Sequence, residues 1–192
     1  MVAVTSTMLA LGTQAPDFHL PDTNGDWHRM SQAVGAPTVV MFICNHCPFV
    51  KLVVDELAAL ARDYAARGVR FFAISSNDIE AYPQDGPEAM KAEAERRGYT
   101  FPYLLDESQD VAKSYMAACT PDFFLFDADH RLVYRGQLDD ARPSNGVRPS
   151  GADLRAAVDA VLAGRSPSPD QKPAMGCNIK WKPGNHPNYF GA

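Results

Sequence analysis

The feature that most constrains the fold is an apolar run that leads directly into a pair of cysteines. Residues 37–43 read Pro-Thr-Val-Val-Met-Phe-Ile, a pattern typical of a strand buried on both faces. A Cys-x-x-Cys motif follows at residues 44–47, and apolar residues then recur at helical spacing over 50–64. A second buried strand is predicted over 69–74. The sequence therefore predicts a right-handed β-α-β unit with the motif at its strand-to-helix corner.

Further elements are expected around this unit. They are a short N-terminal hairpin turning at Asn24-Gly25, a surface helix opened by Pro87 and closed by Gly98, a strand at 103–105, a helix over 111–116 capped by Ser108, a hairpin of 123–126 and 132–134, and a helix at 152–162. After Gly164 the composition shifts to Pro, Ser, Gly and Asn. We expect residues 1–164 to form one α/β domain and residues 165–192 to form an extended, flexible tail.

Composition excludes several classes of protein. The chain has 192 residues and is 46% hydrophobic, which fits one domain with a sizeable core. Its 18 basic residues are scattered and outnumbered by 23 acidic ones, so nucleic acid is not an expected partner. No apolar run approaches the roughly 18 to 20 residues that span a bilayer, and the N-terminus lacks a signal-peptide pattern. We expect a cytoplasmic protein without a membrane partner.

The cysteine pair points to redox chemistry. The dipole and the unpaired N–H groups of a helix start stabilise a thiolate, and a second sulfur three positions along can close a disulfide. Pro48 suits the first helical position, where its missing N–H costs nothing. We expect Cys44 to be the nucleophile and Cys47 the resolving thiol, with His46 adding positive charge when protonated.

Two alternatives to a redox dithiol stay open. A C-x-x-C pair is also half of a structural zinc site, which Cys119, Cys177 or His186 would have to complete. The cysteines could also be inert. Redox chemistry is favoured because the sequence has one such pair, opening a helix in a β-α-β unit, and no paired histidines. We therefore expect no metal and no cofactor.

Several segments resemble a known superfamily. The opening at residues 12–20, the motif at 44–51, and the segments at 118–122 and 176–181 are similar to the thioredoxin superfamily, specifically its peroxiredoxin-like (AhpC/TSA-type) redoxin group that retains a C-x-x-C. The resemblance covers about residues 11–163. It implies a thioredoxin fold, with a central mixed sheet flanked by helices. Thr120-Pro121 resembles the superfamily's cis-proline dipeptide, which faces the motif and offers backbone hydrogen bonds to a substrate.

Disulfide exchange and peroxide reduction both occur in that branch, and the residues at the catalytic positions distinguish the two. A peroxiredoxin has a threonine three residues before its reactive cysteine and a catalytic arginine. Here Cys44 occupies the threonine-like position, Cys47-Pro48 mimics the reactive cysteine and its proline, and Pro121 stands at the arginine position. The resemblance therefore implies disulfide exchange in preference to peroxide reduction. Ile43 and Thr38 replace the tryptophan and buried aspartate of thioredoxin, so efficient general reduction of proteins is not expected. The C-x-His-Cys form resembles that of oxidising or isomerising members, and we therefore expect a reduction potential above thioredoxin's roughly −270 mV.

The predicted function is that of a thiol-disulfide oxidoreductase cycling Cys44 and Cys47 between dithiol and disulfide. Its partners would be a disulfide or peroxide substrate and a thiol reductant, and the protein would be a monomer or homodimer. The alternatives are a thiol peroxidase and a redox- or zinc-sensing module. Cys119, beside Thr120-Pro121, is either a third redox thiol or a small buried hydrophobe. Cys177 either forms a mixed disulfide from the tail or is idle.

Overall fold

The central feature is a five-stranded mixed sheet with helices packed on both faces. The computed structural model describes residues 3–190. The strands are β1 (Ala3–Thr5), β2 (His19–Pro21), β3 (Trp27–Arg29), β4 (Thr38–Phe42), β5 (Arg70–Ser75), β6 (Tyr103–Leu105), β7 (Cys119–Thr120), β8 (Asp122–Phe126), β9 (Leu132–Gly136) and β10 (Met175–Asn178). The helices are α1 (Pro48–Ala65), α2 (Pro87–Arg97), α3 (Asp110–Ser114) and α4 (Ala152–Leu162).

The order of strands in the main sheet is β6-β5-β4-β8-β9. β4 lies at the centre, parallel to β5 and antiparallel to β8, and all five of its residues are buried. Val39 and Met41 pack into a core beneath α1 and α4, whereas Val40 and Phe42 pack into a second core that includes Ala112 of α3. This two-sided burial explains the unbroken apolar sequence of β4.

Most of the predicted elements are confirmed. The predicted hairpin is formed by β2 and β3, and α1 begins at Pro48 and ends shortly before Gly68, which has a φ of +86°. The predicted cap of α3 was wrong by one residue. Gln109 is the N-cap, with a left-handed backbone, and Ser108 Oγ instead accepts a hydrogen bond from the Asp110 N–H at 3.2 Å.

The C-terminal segment runs extended, but the expectation that it is a flexible tail is wrong. β10 forms a separate three-stranded sheet with β1 and β7, in the order β1-β10-β7. Beyond the strand, Ile179 and Trp181 are buried in the second core. Two apolar anchors and a strand with partners on both edges therefore fix this segment against the domain, and its burial places Cys177 in the interior.

Within residues 3–190, no helix is both long enough and apolar enough to cross a membrane.

Candidate active site

The cysteine motif occupies the corner between β4 and α1, as the sequence predicts. Cys47 is the N-cap of α1, and Pro48 takes the first helical position. Both motif cysteines are buried, with Cys44 2% and Cys47 0% exposed. Each thiol is the largest influence on the pKa of the other. The two thiols are thus close neighbours, as ring closure to a disulfide requires.

Thr120-Pro121 faces the pair, as the resemblance implied. The peptide bond between these residues is cis. Thr120 contacts both cysteines: its Oγ1 lies 3.4 Å from Cys44 Sγ, and its carbonyl oxygen lies 3.1 Å from Cys47 Sγ, where it accepts a hydrogen bond when Cys47 is protonated. One residue of β7 therefore touches both sulfurs of the candidate dithiol.

The surroundings of Cys47 favour its thiolate. A hydrogen bond from the Cys44 thiol is the largest influence, and it outweighs the burial that opposes ionisation. The Cys177 thiol and the N–H groups of Val50 and Cys177 act in the same direction. Together they lower the pKa of Cys47 to about 5. At neutral pH the negative charge therefore lies at the start of α1, where the helix dipole also favours it.

Cys44 has the opposite tendency. Its hydrogen bond to Cys47, its burial and the negative charge of Asp85 raise its pKa well above the ordinary value. The two thiols therefore ionise as a coupled pair, in which one thiol stabilises the thiolate of the other. The sequence assigned the stabilised thiolate to Cys44, and these charges favour Cys47 instead.

Asp85 is a site residue that sequence reasoning missed. Its side chain is completely buried and accepts hydrogen bonds from the Asn45 N–H at 2.8 Å, from His46 Nδ1 at 2.5 Å and from Asn77 Nδ2 at 2.8 Å. Burial opposes its ionisation, but the hydrogen bonds from His46 and Asn77 hold its pKa below the ordinary value. A buried carboxylate thus anchors the two residues between the cysteines. In the sequence, Asp85-Gly86 indicates only a turn.

His46 lies between Asp85 and an aromatic ring. Its imidazole stacks on Tyr82 with ring centroids 5.3 Å apart, while Nδ1 faces the carboxylate. Asn45 is held similarly, since the Tyr103 hydroxyl donates to its Oδ1 at 3.1 Å. The sequence expected His46 to support the thiolate by its charge. The structure gives His46 a direct partner in Asp85, so its imidazole pairs with this carboxylate.

Cys44, His46 and Asp85 are the one group of potential metal ligands found among residues 3–190, with ligand atoms within 4.8 Å of one another. Both Asp85 oxygens already accept hydrogen bonds, from N–H groups and from His46 and Asn77. A metal bound through Asp85 would compete with these donors for the carboxylate oxygens. None of the completing ligands considered from the sequence, Cys119, Cys177 and His186, belongs to this group.

The two remaining cysteines are placed differently. Cys119 is buried, its sulfur lies 3.5 Å from the Pro121 carbonyl oxygen, and burial raises its pKa well above the ordinary value. This setting suits a small buried hydrophobe. Cys177 is 2% exposed, lies in the same buried cluster as Cys44 and Cys47, and lowers the pKa of Cys47. The structure thus brings Cys44, Cys47 and Cys177 together.

Comparison with known proteins identifies the family. A profile of the AhpC/TSA family matches residues 11–135, and the chain belongs to that family. An uncharacterized conserved protein from Geobacillus kaustophilus is 58% identical, with a TM-score of 0.93 over 95% of this chain and 98% of that one. The thioredoxin domain of a thiol-disulfide oxidoreductase from Bacteroides vulgatus is 21% identical, with a TM-score of 0.57 over 66% of this chain and 88% of that one. The predicted thioredoxin fold is therefore confirmed.

Curated relatives include two kinds of thiol enzyme. The thiol-disulfide oxidoreductase ResA of Geobacillus kaustophilus is 29% identical over 63% of this chain, and the chain spans 66% of the length of that relative. The 1-Cys peroxiredoxin A of Oryza sativa is 24% identical over 92% of this chain and 80% of that protein. The relatives thus include both a thiol-disulfide oxidoreductase and a peroxiredoxin, the two classes that the sequence analysis compared.

Proposed function

We propose that this protein is a thiol-disulfide oxidoreductase of the redoxin type that retains a C-x-x-C motif, with Cys44 and Cys47 as its redox pair. One observation carries the proposal: the two buried thiols at the start of α1 both contact Thr120, at 3.4 Å from Cys44 Sγ to Oγ1 and 3.1 Å from Cys47 Sγ to the carbonyl oxygen. Such a pair contains both the nucleophile and the group that completes a disulfide. The similarity to ResA supports the same chemistry.

The reaction follows from the charges of the pair. The Cys47 thiolate attacks a substrate disulfide, forming a mixed disulfide and releasing one substrate sulfur as a thiolate. Cys44 then attacks the Cys47 sulfur, its proton passes to the departing thiolate, and the second substrate sulfur leaves. Two electrons move from the protein to the substrate, and a thiol reductant restores the dithiol by the reverse exchange.

An equilibrium titration in glutathione buffers tests this function. The protein is equilibrated across a range of reduced to oxidised glutathione, quenched with acid and alkylated, and its disulfides are mapped by mass spectrometry. We expect one two-electron transition that joins Cys44 to Cys47. Cys119→Ala is the matched control and keeps the transition, whereas Cys47→Ser abolishes it. Absence of a Cys44–Cys47 disulfide over the whole range would refute the proposal.

Peroxide reduction is the second candidate, favoured by one feature of Cys47. A thiol with a pKa of about 5 that precedes a proline at a helix start matches the reactive cysteine of the branch, and 1-Cys peroxiredoxin A is a relative. Against it, Cys44 and Pro121 occupy the threonine and arginine positions. Rapid, saturable consumption of hydrogen peroxide would favour this candidate over disulfide exchange.

The setting of the enzyme stays a prediction. A cytoplasmic location and a monomeric or dimeric state rest on the sequence alone. The substrate and the reductant are proposed only as classes, a disulfide and a thiol.

A further inference from the structure

We propose that Cys177 is an internal disulfide partner of Cys47, so that Cys47 exchanges between two neighbouring thiols, Cys44 on one side and Cys177 on the other. This inference rests on the proposed function and extends it to a third residue. It starts from proximity: Cys44, Cys47 and Cys177 lie in one buried cluster, and the Cys177 thiol and N–H both lower the pKa of Cys47.

The strand that carries Cys177 is built to hold it there. Cys177 lies directly opposite Thr120 in the antiparallel pairing of β10 with β7, and Thr120 is the residue that touches both motif sulfurs. Beyond the strand, the Lys180 N–H donates to Asn77 Oδ1 at 2.8 Å. Asn77 also donates to Asp85. The segment is thus tied to the same polar network that anchors the motif.

Gly176 shows how closely this strand approaches the site. A Cβ at this position would lie 2.0 Å from the carbonyl oxygen of Thr120, well inside van der Waals contact. Only glycine permits β10 to lie at this distance from β7. Position 176 must therefore be glycine for β10 to lie close enough to β7 to bring Cys177 next to Cys47.

The chemistry balances without an additional oxidant. When Cys47 carries a mixed disulfide with a substrate, the Cys177 sulfur attacks Cys47, the bond between Cys47 and the substrate sulfur breaks, and the Cys177 proton leaves with the substrate thiol. When Cys47 is bonded to Cys44, the same attack moves the disulfide to Cys47–Cys177 and returns a thiol at Cys44. The first reaction transfers two electrons to the substrate, and the second only relocates an existing disulfide.

The charges of the reduced state explain why Cys177 acts after Cys47. Burial and the neighbouring Cys47 raise the pKa of Cys177 to about 12, so Cys177 holds its proton while Cys47 is a thiolate. Once Cys47 enters a disulfide its negative charge is lost, and one cause of the raised pKa disappears. Cys177 then becomes easier to ionise at the moment when an attacking thiolate is required.

Disulfide mapping of single variants tests the inference. Cys44→Ser is equilibrated with oxidised glutathione, quenched and mapped by mass spectrometry. We expect Cys47–Cys177 to be its main disulfide, and Cys44→Ser combined with Cys177→Ser to retain glutathione on Cys47 instead. Cys44→Ser combined with Cys119→Ala is the matched control and still forms Cys47–Cys177. A glutathione adduct on Cys47 that persists in Cys44→Ser would overturn the inference.

The wild-type chain gives a second measurement that does not depend on the folding of a variant. Its oxidised form should contain both Cys44–Cys47 and Cys47–Cys177 peptides, whereas oxidised wild type with Cys44–Cys47 alone counts against the internal partner. If instead the proposed oxidoreductase function is wrong, Cys177→Ser should form no Cys44–Cys47 disulfide in any glutathione buffer. The two failures are therefore distinguishable.

Discussion

At the residue scale, the site is governed by which sulfur carries the negative charge. The Cys44 and Cys177 thiols and two N–H groups lower the pKa of Cys47, whereas the buried carboxylate of Asp85 raises the pKa of Cys44. The helix start alone suggested a stabilised thiolate, and the sequence placed it on the first cysteine. The surrounding charges favour the second, in part through Cys177 of β10, which lies 130 positions further along the chain than Cys47.

The ionisation of Cys47 is directly measurable. In protein labelled with ¹³C at cysteine Cβ, we expect the Cys47 resonance to titrate near pH 5, because the pKa is lowered to about 5 from the ordinary value of 9.0. Cys47→Ser should remove this transition, and Cys119→Ala should leave it in place. A first cysteine titration close to pH 9 would contradict the charge distribution described above.

Asp85 should act mainly on Cys44. In Asp85→Asn the negative charge that raises the pKa of Cys44 is removed, so the Cys44 Cβ resonance is expected to titrate at lower pH than in the wild type. The exposed turn residue Asp129 supplies the control, since Asp129→Asn leaves this titration where it was. An unchanged Cys44 titration in Asp85→Asn would show that the carboxylate only positions His46 and Asn45.

At the element scale, the elements that could be predicted have a sequence pattern within their own segment, whereas the others depend on pairing between distant segments. β4 and α1 were predictable because the first is an apolar run and the second repeats its apolar residues every three to four positions. The small sheet of β1, β7 and β10 was not, since its strands have only two to four residues. In the sequence, Gly176 only adds to the glycine content of the segment. In the structure it lies where β10 closely approaches β7.

The same difference separates the parts of the site. The motif cysteines and Thr120-Pro121 were found because each is a local pattern. Asp85 was not, because its contact with His46 joins residues 39 positions apart and exists only after β5 and the following loop are in place. Cys177 was recognised as a thiol. Its position next to Cys47 was not predicted, because it depends on β10, and the composition of that segment indicated a tail.

β10 offers a test at the level of an element. Gly176→Ala places a methyl group against the Thr120 carbonyl oxygen, so we expect the free energy of unfolding in urea to fall by about 1–3 kcal/mol. Met175→Ala is the control, because Met175 lies on the exposed side of the same strand and its loss should change stability by less than about 0.5 kcal/mol. Equal effects of the two substitutions would mean that β10 does not approach β7 as closely as described.

At the scale of the whole molecule, one buried acid couples stability to pH. Asp122 lies at the centre of the fold beside Phe42 of β4, completely desolvated, and burial raises its pKa to about 8 despite hydrogen bonds from the N–H groups of Ala118 and Phe123. In the unfolded chain the same carboxyl would ionise near 3.8. The folded protein therefore retains a proton that the unfolded chain loses between those two values.

The sign of this coupling fixes the final prediction. Because the folded pKa is raised, the contribution of Asp122 to stability is greatest below pH 4 and declines as pH rises to about 8, by about 1.4 kcal/mol per pH unit at most. Asp122→Asn does not titrate, so its free energy of unfolding in urea, measured under reducing conditions, should gain on the wild type steadily from pH 5 to pH 8. Asp129→Asn should show a constant difference from the wild type over this range. A constant difference for Asp122→Asn as well would mean that the carboxyl is already ionised in the folded core, and that water or a cation reaches it there.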